Sequence, residues 1–227
     1  IGSAGSHTGC TLIALNLAME ISLLEKSTLL MEANFRAPSI APILSMRNIA
    51  DSSTWKSIAP NLALSEVTQS SSEHLENFMN KATEEFEYMI IDIGSVSGLS
   101  NRLTDRRWTS IVTTWCCDQA DELMIVSRAD HLGHYRLTQV IDLLQQTSIR
   151  AQVSFTQNMK SAGKRGDAEM ARFLTATTPL KPIRARSLKE EIRSVKAAED
   201  EHATLVETNE RSNLRKSISE LAREIIS

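Results

Sequence analysis

Several features common to other protein classes are absent or scarce in this 227-residue sequence. No apolar run approaches the roughly 18 residues of a transmembrane helix, and the N-terminal segment lacks the charged and apolar parts of a signal peptide. The three cysteines, Cys10, Cys116 and Cys117, form an odd set that excludes a disulfide framework. Lys and Arg number 25 against 28 Asp and Glu, which argues against DNA binding by bulk charge. These absences predict a cytoplasmic protein.

The composition is that of a globular chain, with 41% hydrophobic and 23% charged residues. Short β-branched runs alternate with longer stretches of helical periodicity, which predicts an α/β fold with a mostly parallel sheet in one domain over 1–227. Predicted strands are Thr28 to Glu32, Leu62 to Val67, Tyr88 to Asp92, Leu123 to Ser127, Val153 to Gln157 and Pro182 to Ala185. Predicted helices are Thr11 to Leu24, His131 to Gln146, Asp167 to Thr175 and Arg211 to Ile226.

A glycine-rich segment from Gly2 to Thr11 leads directly into the first predicted helix. Unpaired amides and the positive end of the dipole make a helix N-terminus an anion site. With Gly9 as its second glycine, the phosphate-loop pattern finds Ala4 and Cys10 where it needs glycine and lysine, while Thr11 falls on the magnesium-binding hydroxyl. A phosphate loop and a simple helix-capping turn both remain open.

Only Ile1 precedes this segment. If the segment is a strand-to-helix turn, the strand that leads into it is expected to be missing. We therefore expect the chain to be a fragment of a longer protein.

Asp92 ends the apolar run from Tyr88. A carboxylate at the carboxyl end of a strand is the position from which proteins hold magnesium at a phosphate site. The sequence therefore predicts a metal site formed by Thr11 and Asp92.

Three segments carry a family resemblance: Asn16-Leu17-Ala18, Leu29 to Ser39, and Ile90-Ile91-Asp92. The sequence resembles the ParA/MinD superfamily of deviant-Walker P-loop ATPases, and especially the branch of the pilus-assembly proteins CpaE and TadZ. The resemblance implies a doubly wound sheet with helices on both faces, a homodimer, and ATP or ADP bound with Mg²⁺. It also implies a catalytic carboxylate at Glu32. The implied nucleotide-binding residues are Gly5, Ser6, His7, Thr8, Gly9, Cys10, Thr11 and Asn158.

The sequence departs from this family at two lysines. The signature lysine falls on Gly5 and the Walker lysine falls on Cys10. Loss of these charges weakens phosphoryl-transfer catalysis, so whether the chain is an enzyme stays open. Ser6 and His7 replace paired glycines, and positive φ at such a residue costs roughly 1–2 kcal/mol.

Three functions follow as hypotheses. The first is a nucleotide-binding protein, CpaE/TadZ-like, that positions or assembles a pilus or secretion machine with weak or no ATP hydrolysis. The second is an active partitioning-type ATPase that binds DNA or a membrane. The third is a nucleotide-free interaction scaffold, whose loop should be closed by His7 or another side chain.

Two surfaces bear on the second hypothesis. The segment from Asn158 to Gly166 reads as a long polar loop with Lys160, Lys164 and Arg165, which could contact DNA, line a nucleotide base or carry solvated charge. We expect solvated charge and no DNA partner. The amphipathic helix ending at Ile226 could bind the inner face of a membrane peripherally, although packing inside the protein is favoured because the helix lacks aromatics.

Two other groups of residues have a structural alternative. His131, His134, Cys116 and Cys117 lack the spacing of a zinc site, so metal binding is disfavoured. A stripe at helical spacing fits core packing better than a partner surface. It consists of Trp108, Ile111, Val112 and Trp115.

Overall fold

The computed structural model describes residues 1–47, 49, 54–101 and 104–227. It is an α/β protein with mostly parallel sheets flanked by helices, which confirms the predicted fold class. The contacts form two compact units, one from Ile1–Cys10 with Ile93–Glu190 and the other from Thr11–Asp92 with Glu191–Ser227. The single domain expected over 1–227 stays a prediction.

The described residues form nine strands and ten α-helices. The strands are β1 (Gly2–Ser3), β2 (Thr28–Glu32), β3 (Lys56–Ala59), β4 (Leu62–Glu66), β5 (Tyr88–Asp92), β6 (Gly94–Ser95), β7 (Glu122–Arg128), β8 (Gln152–Lys160) and β9 (Arg184–Lys189). The helices are α1 (Cys10–Leu23), α2 (Ile40–Ile43), α3 (Gln69–Ser72), α4 (Leu75–Glu85), α5 (Trp108–Gln119), α6 (His131–Gln146), α7 (Gly163–Thr177), α8 (Ile192–Asp200), α9 (Leu205–Thr208) and α10 (Asn213–Ile226). Two 3₁₀ turns, Val96–Asn101 and Thr178–Leu180, complete the set.

The first unit is built on a parallel sheet of order β6-β1-β7-β8-β9. Strand β7 is buried over five consecutive residues, of which the first four are apolar, as expected of a parallel strand covered on both faces. Helix α6 packs on β7, and α7 packs on β8 and β9. Helix α6 therefore packs on the same strand, β7, that pairs with β1.

Gly2–Ser3 pair with Gly94–Ser95 on one side and with Ile125 and Val126 on the other. The expectation that the first strand is missing is therefore wrong for Gly2 and Ser3, which form a two-residue strand ahead of the loop. Glycine and serine carry no β-branched or apolar pattern that would reveal a strand. Only the two neighbouring backbones identify it.

The second unit is built on a sheet of order β3-β4-β2-β5, with β3 antiparallel to β4 and the other pairs parallel. All five residues of β2 are buried. Their register places Glu32 between Glu66 of β4 and Asp92 of β5. Three acidic residues therefore occupy neighbouring strand ends, and only Glu66 is half-exposed.

The prediction of a polar loop over 158–166 is wrong for most of these residues. Strand β8 continues to Lys160, which is in register with Lys189 of β9. Helix α7 then begins at Gly163, whose φ of 63° lies in the left-handed region that favours glycine. The alternation of apolar and polar residues in β8 ends before the pairing of β8 with β9 does. The sequence pattern therefore predicted only the part of the strand that carries this alternation.

The C-terminal helix α10 has its apolar face inside the second unit. Leu214, Ile218 and Leu221 are buried. This agrees with the favoured interpretation of the helix as part of the packed protein, because a buried face is not free to enter a membrane. Among the residues that the structure describes, no helix combines the length and apolar character needed to cross a membrane.

The stripe on α5 is only partly core. Val112 is buried, whereas Ile111 is 54% exposed and Trp108 and Trp115 are half-buried. The choice between core packing and a partner surface stays open for the two tryptophans.

Asn16 on α1 links this helix to the C-terminal segment by a hydrogen bond. Its Oδ1 accepts a hydrogen bond of 2.7 Å from the backbone N–H of Leu205, and its Nδ2 donates to the Leu12 carbonyl at 2.8 Å. The asparagine of the Asn16-Leu17-Ala18 motif thus accepts a hydrogen bond from Leu205, the first residue of helix α9. Both residues are buried.

We expect Asn16→Ala to lower the free energy of unfolding by about 1–3 kcal/mol, because the buried Leu205 N–H loses its acceptor. Urea denaturation measures this loss. Asn80→Ala, at an exposed position of α4, is the matched control. Equal stability of the two variants would contradict the role assigned to Asn16.

Candidate functional site

The glycine-rich loop of the first unit folds back on Ser3. The Ser3 hydroxyl accepts from the Gly5 N–H at 3.1 Å, donates to the Gly5 carbonyl, and lies 3.0 Å from the Thr8 hydroxyl. The Ala4 N–H donates to the Val126 carbonyl at 2.9 Å. The loop therefore has a defined shape at the edge of β1 and β7.

Two loop residues take left-handed backbone angles. Gly9 has φ of 77° and His7 has φ of 56°. At His7 this costs roughly 1–2 kcal/mol relative to glycine, as the sequence predicted for a residue replacing a glycine. The side chains of Ser6 and His7 are exposed, whereas Thr8 and Cys10 are buried.

Asn158, at the end of β8, holds the same loop. Its Nδ2 donates to the Thr8 carbonyl at 2.9 Å, and its Oδ1 accepts from the Met159 N–H at 2.9 Å. A Cβ at Gly9 would lie 2.5 Å from Asn158 Nδ2, and the φ of 77° would strain any other residue there. In this structure Asn158 binds the loop backbone, and its predicted contact with a nucleotide stays a prediction.

Arg136 of α6 also reaches the loop, and sequence reasoning did not identify it. Its Nη1 donates to the Ser6 hydroxyl at 3.1 Å. Its stem covers Gly5, where an added Cβ would lie 2.6 Å from Arg136 Cδ. The residue is separated from Ser6 by 130 positions, and no motif marks it.

In the second unit, the structure brings together Thr11 and Asp92, the two residues of the predicted metal site, which itself stays a prediction. The Thr11 hydroxyl donates to Asp92 Oδ2 at 2.5 Å, and Asp92 is fully buried. A hydroxyl and a carboxylate are hard oxygen donors, and Mg²⁺ typically uses one or two such protein ligands with water and phosphate oxygens for the rest. The donor set therefore fits magnesium.

Glu32, the predicted catalytic carboxylate, is bonded to backbone. Its Oε2 accepts from the N–H groups of Ser39 and Ile40, both at 2.8 Å, where α2 begins. Within the described part of the chain its buried Oε1 has no hydrogen-bond partner. The catalytic role of Glu32 stays a prediction, while its capping of α2 is a structural role that the sequence did not suggest.

Burial has a large effect on Glu32. It raises the pKa of the carboxyl from 4.5 to about 7; the N–H groups of Ile40 and Ser39 oppose the shift, and the charge of Asp92 adds to it. Burial is the largest cause because the charged form loses its hydration.

The basic residues considered for DNA are partly neutralised. Arg165 Nε lies 3.0 Å from Glu169 Oε1, and Lys160 Nζ lies 3.7 Å from an Asp167 oxygen. The expectation that DNA is not a partner stays a prediction.

Cys116 and Cys117 are buried and form no disulfide. Burial raises the pKa of the Cys116 thiol to about 12, with Cys117 adding to the effect. Metal binding requires the thiolate, so this pair is unsuited to it. Across residues 1–47, 49, 54–101 and 104–227, no three His, Cys, Asp or Glu side chains cluster as metal ligands would.

Solved structures of ParA/MinD-type ATPases share this fold. A ParA family ATPase from Chlorobium tepidum is 18% identical, with a TM-score of 0.77 over 98% of this chain and 97% of that one. A variant of McdA from Cyanothece, in complex with ATP, is 17% identical, with a TM-score of 0.73 over 99% and 95%. MinD from Pyrococcus horikoshii with Mg-ADP is 11% identical, with a TM-score of 0.71 over 99% and 94%.

No protein-family model and no curated protein matches the chain. At these identities the solved structures define its fold, which is that of the ParA/MinD-type P-loop ATPases. Fold similarity does not transfer an activity, which has to be argued from the residues of the site.

Proposed function

We propose that this chain is a ParA/MinD-like nucleotide-binding protein that positions or assembles a larger machine, with weak or no ATP hydrolysis. One observation carries the proposal: the Thr11–Asp92 pair is intact at 2.5 Å, whereas Gly5 and Cys10 stand where the family resemblance expects two lysines. The parts suited to binding are retained, and two parts suited to turnover are lost.

The proposal assigns binding to particular residues. In the second unit, Thr11 and Asp92 would hold Mg²⁺ through oxygen atoms. In the first unit, the backbone amides from Ser6 to Gly9 would hold phosphate oxygens. Mg²⁺ bound to a nucleotide neutralises charge on its phosphates. McdA with ATP and MinD with Mg-ADP are solved examples of this fold carrying such ligands.

The expected turnover is slow because charge stabilisation is the main contribution of a protein to phosphoryl transfer. Cys10 supplies no positive charge, and Gly5 has no side chain. Glu32 retains a carboxylate, but its Oε2 is engaged by two backbone N–H groups.

Resemblance to CpaE and TadZ supports the finer part of the proposal. Under it, the chain forms a homodimer and recruits protein components of a pilus or secretion system. The chain has Cys10 in place of the Walker lysine, and the absence of this lysine is the feature that it shares with the CpaE/TadZ branch.

We expect wild-type protein to bind Mg-ATP and Mg-ADP with micromolar affinity, and Thr11→Ala to weaken binding by at least ~10-fold because a magnesium ligand is removed. Isothermal titration calorimetry measures both. Thr83→Ala, at an exposed position of helix α4, is the matched control and should bind as wild type does.

Two results would contradict the proposal in different ways. Failure of wild type to bind at millimolar nucleotide would favour the nucleotide-free scaffold. Fast ATP hydrolysis that disappears in Asp92→Ala would instead show an active ATPase. ATP-dependent, salt-sensitive DNA retention, lost on neutralising Lys164 and Arg165, would favour the partitioning class.

A further inference from the structure

We infer that Arg136 is a phosphate-binding residue that supplies, from helix α6, positive charge at a loop that lacks both family lysines. The inference rests on the proposed function, since it names a contact to the phosphate groups of the bound nucleotide. Arg136 and the loop residues Gly5 and Ser6 all lie in the first unit.

The guanidinium lies at the loop in a defined position. Arg136 Nη1 donates to the Ser6 hydroxyl at 3.1 Å. An added Cβ at Gly5 would lie 2.6 Å from Arg136 Cδ, 3.1 Å from Nη1 and 3.4 Å from Nε. The arginine therefore fills the space that a side chain at position 5 would enter.

Gly5 and Arg136 are sterically matched in this chain. The family resemblance places a lysine at position 5, and no side chain fits there while Arg136 keeps its present position. Glycine at position 5 removes one cation and makes room for another, which enters from a different element.

The backbone of α6 holds Arg136 in place. Asp130 caps the helix, with its Oδ1 accepting from the Gly133 N–H at 2.7 Å. A Cβ at Gly133 would lie 2.3 Å from the Arg128 carbonyl oxygen, so the helix packs closely on the end of β7. The adjacent Leu137 is buried. Arg136 thus lies one residue from an anchored core position.

The charge of Arg136 is available to an anion. In the described part of the chain no carboxylate forms an ion pair with it, in contrast to Arg165 and Arg184. A guanidinium has five N–H donors in a planar fork that matches phosphate oxygens, and Ser6 uses one of them. Arg136 is half-buried, and Ser6 and His7 beside it are exposed, so the remaining donors can be reached from solvent.

The test compares Arg136→Ala and Arg136→Lys with wild type in calorimetric titrations of Mg-ATP and of inorganic tripolyphosphate. Arg136→Ala should weaken binding of both probes ~10- to 100-fold, the effect of losing a charged hydrogen bond to phosphate. Arg136→Lys keeps the charge without the fork and should stay within ~10-fold of wild type. Arg150→Ala, an exposed arginine beyond the end of α6, should change nothing.

The two probes separate this inference from the proposed function. If wild type binds Mg-ATP and Arg136→Ala binds it equally well, or no more weakly than Arg150→Ala, the inference is overturned while nucleotide binding stands. If wild type binds tripolyphosphate through Arg136 but binds no nucleotide, the anion site stands and the proposed function fails. If wild type binds neither probe, both fail. A circular dichroism spectrum of each variant checks that loss of binding is not loss of fold.

Discussion

Replacing Arg215 by alanine is expected to lower the free energy of unfolding by about 3–5 kcal/mol, the usual result of removing one partner from a buried ion pair. Arg215 of α10 binds the Glu20 carboxylate of α1 with two hydrogen bonds, Nε to Oε1 at 2.5 Å and Nη2 to Oε2 at 3.2 Å. The Glu20 side chain is only 4% exposed, and that of Arg215 is 20% exposed. Without the guanidinium, Glu20 would be a buried charge with little access to water.

Urea denaturation at pH 7 measures the loss. Arg223→Ala, an exposed arginine on the same helix, removes equal charge and side-chain length and should cost no more than about 1 kcal/mol. The double variant Glu20→Met with Arg215→Met replaces both charges by apolar groups and should recover most of the loss. A small effect of Arg215→Ala, similar to that of Arg223→Ala, would contradict the assignment.

The second large effect is a pH dependence of stability due to Glu32. Burial raises the pKa of this carboxyl to about 7 in the folded protein, while the unfolded chain titrates near the ordinary value of 4.5. Between these values the folded state holds a proton that the unfolded state has released. Stability from this group is therefore fully present below pH 4.5 and is lost as the pH rises through 7.

Glu32→Gln isolates this effect, because the amide keeps an acceptor oxygen for Ser39 or Ile40 and cannot ionise. Relative to wild type, the variant should gain about 3 kcal/mol in free energy of unfolding between pH 4.5 and pH 8. Chemical denaturation at a series of pH values measures the difference.

The control is Glu66→Gln, in register with Glu32 on β4 but half-exposed. Glu66→Gln should keep the pH profile of the wild-type protein. A pH profile for Glu32→Gln parallel to that of wild type would contradict the raised pKa.

Some elements were predictable from sequence because their apolar pattern coincides with their bounds. Helix α6 spans the predicted residues His131–Gln146, and β2 and β5 also have the predicted ends. Apolar periodicity reports burial on one face or both, and burial defines these elements. Strand β1 and the end of β8 were missed because backbone pairing defines them and their side chains have no pattern.

The residues of the candidate site also divide into those that the sequence predicted and those that it did not. Thr11 and Asp92 were predictable because a helix start and a strand end are local features, and the resemblance gave each a role. The assignment of Asn158 to the nucleotide stays a prediction, and the hydrogen bond from its Nδ2 to the Thr8 carbonyl is a contact that the sequence did not show. Arg136 was missed because a single arginine in an amphipathic helix carries no signal until the neighbouring loop is known.

The sequence alone therefore determined the alternation of strands and helices, the glycine-rich loop, and the presence of Gly5 and Cys10 where the family resemblance expects two lysines. Only the tertiary structure placed Arg136 over Gly5 and buried Glu32 beneath the start of α2. The physical reason is the separation along the chain over which each effect acts. Periodicity and strand ends act over a few residues, whereas the position of a charge and the cost of burying it depend on groups tens of residues or more away in the chain.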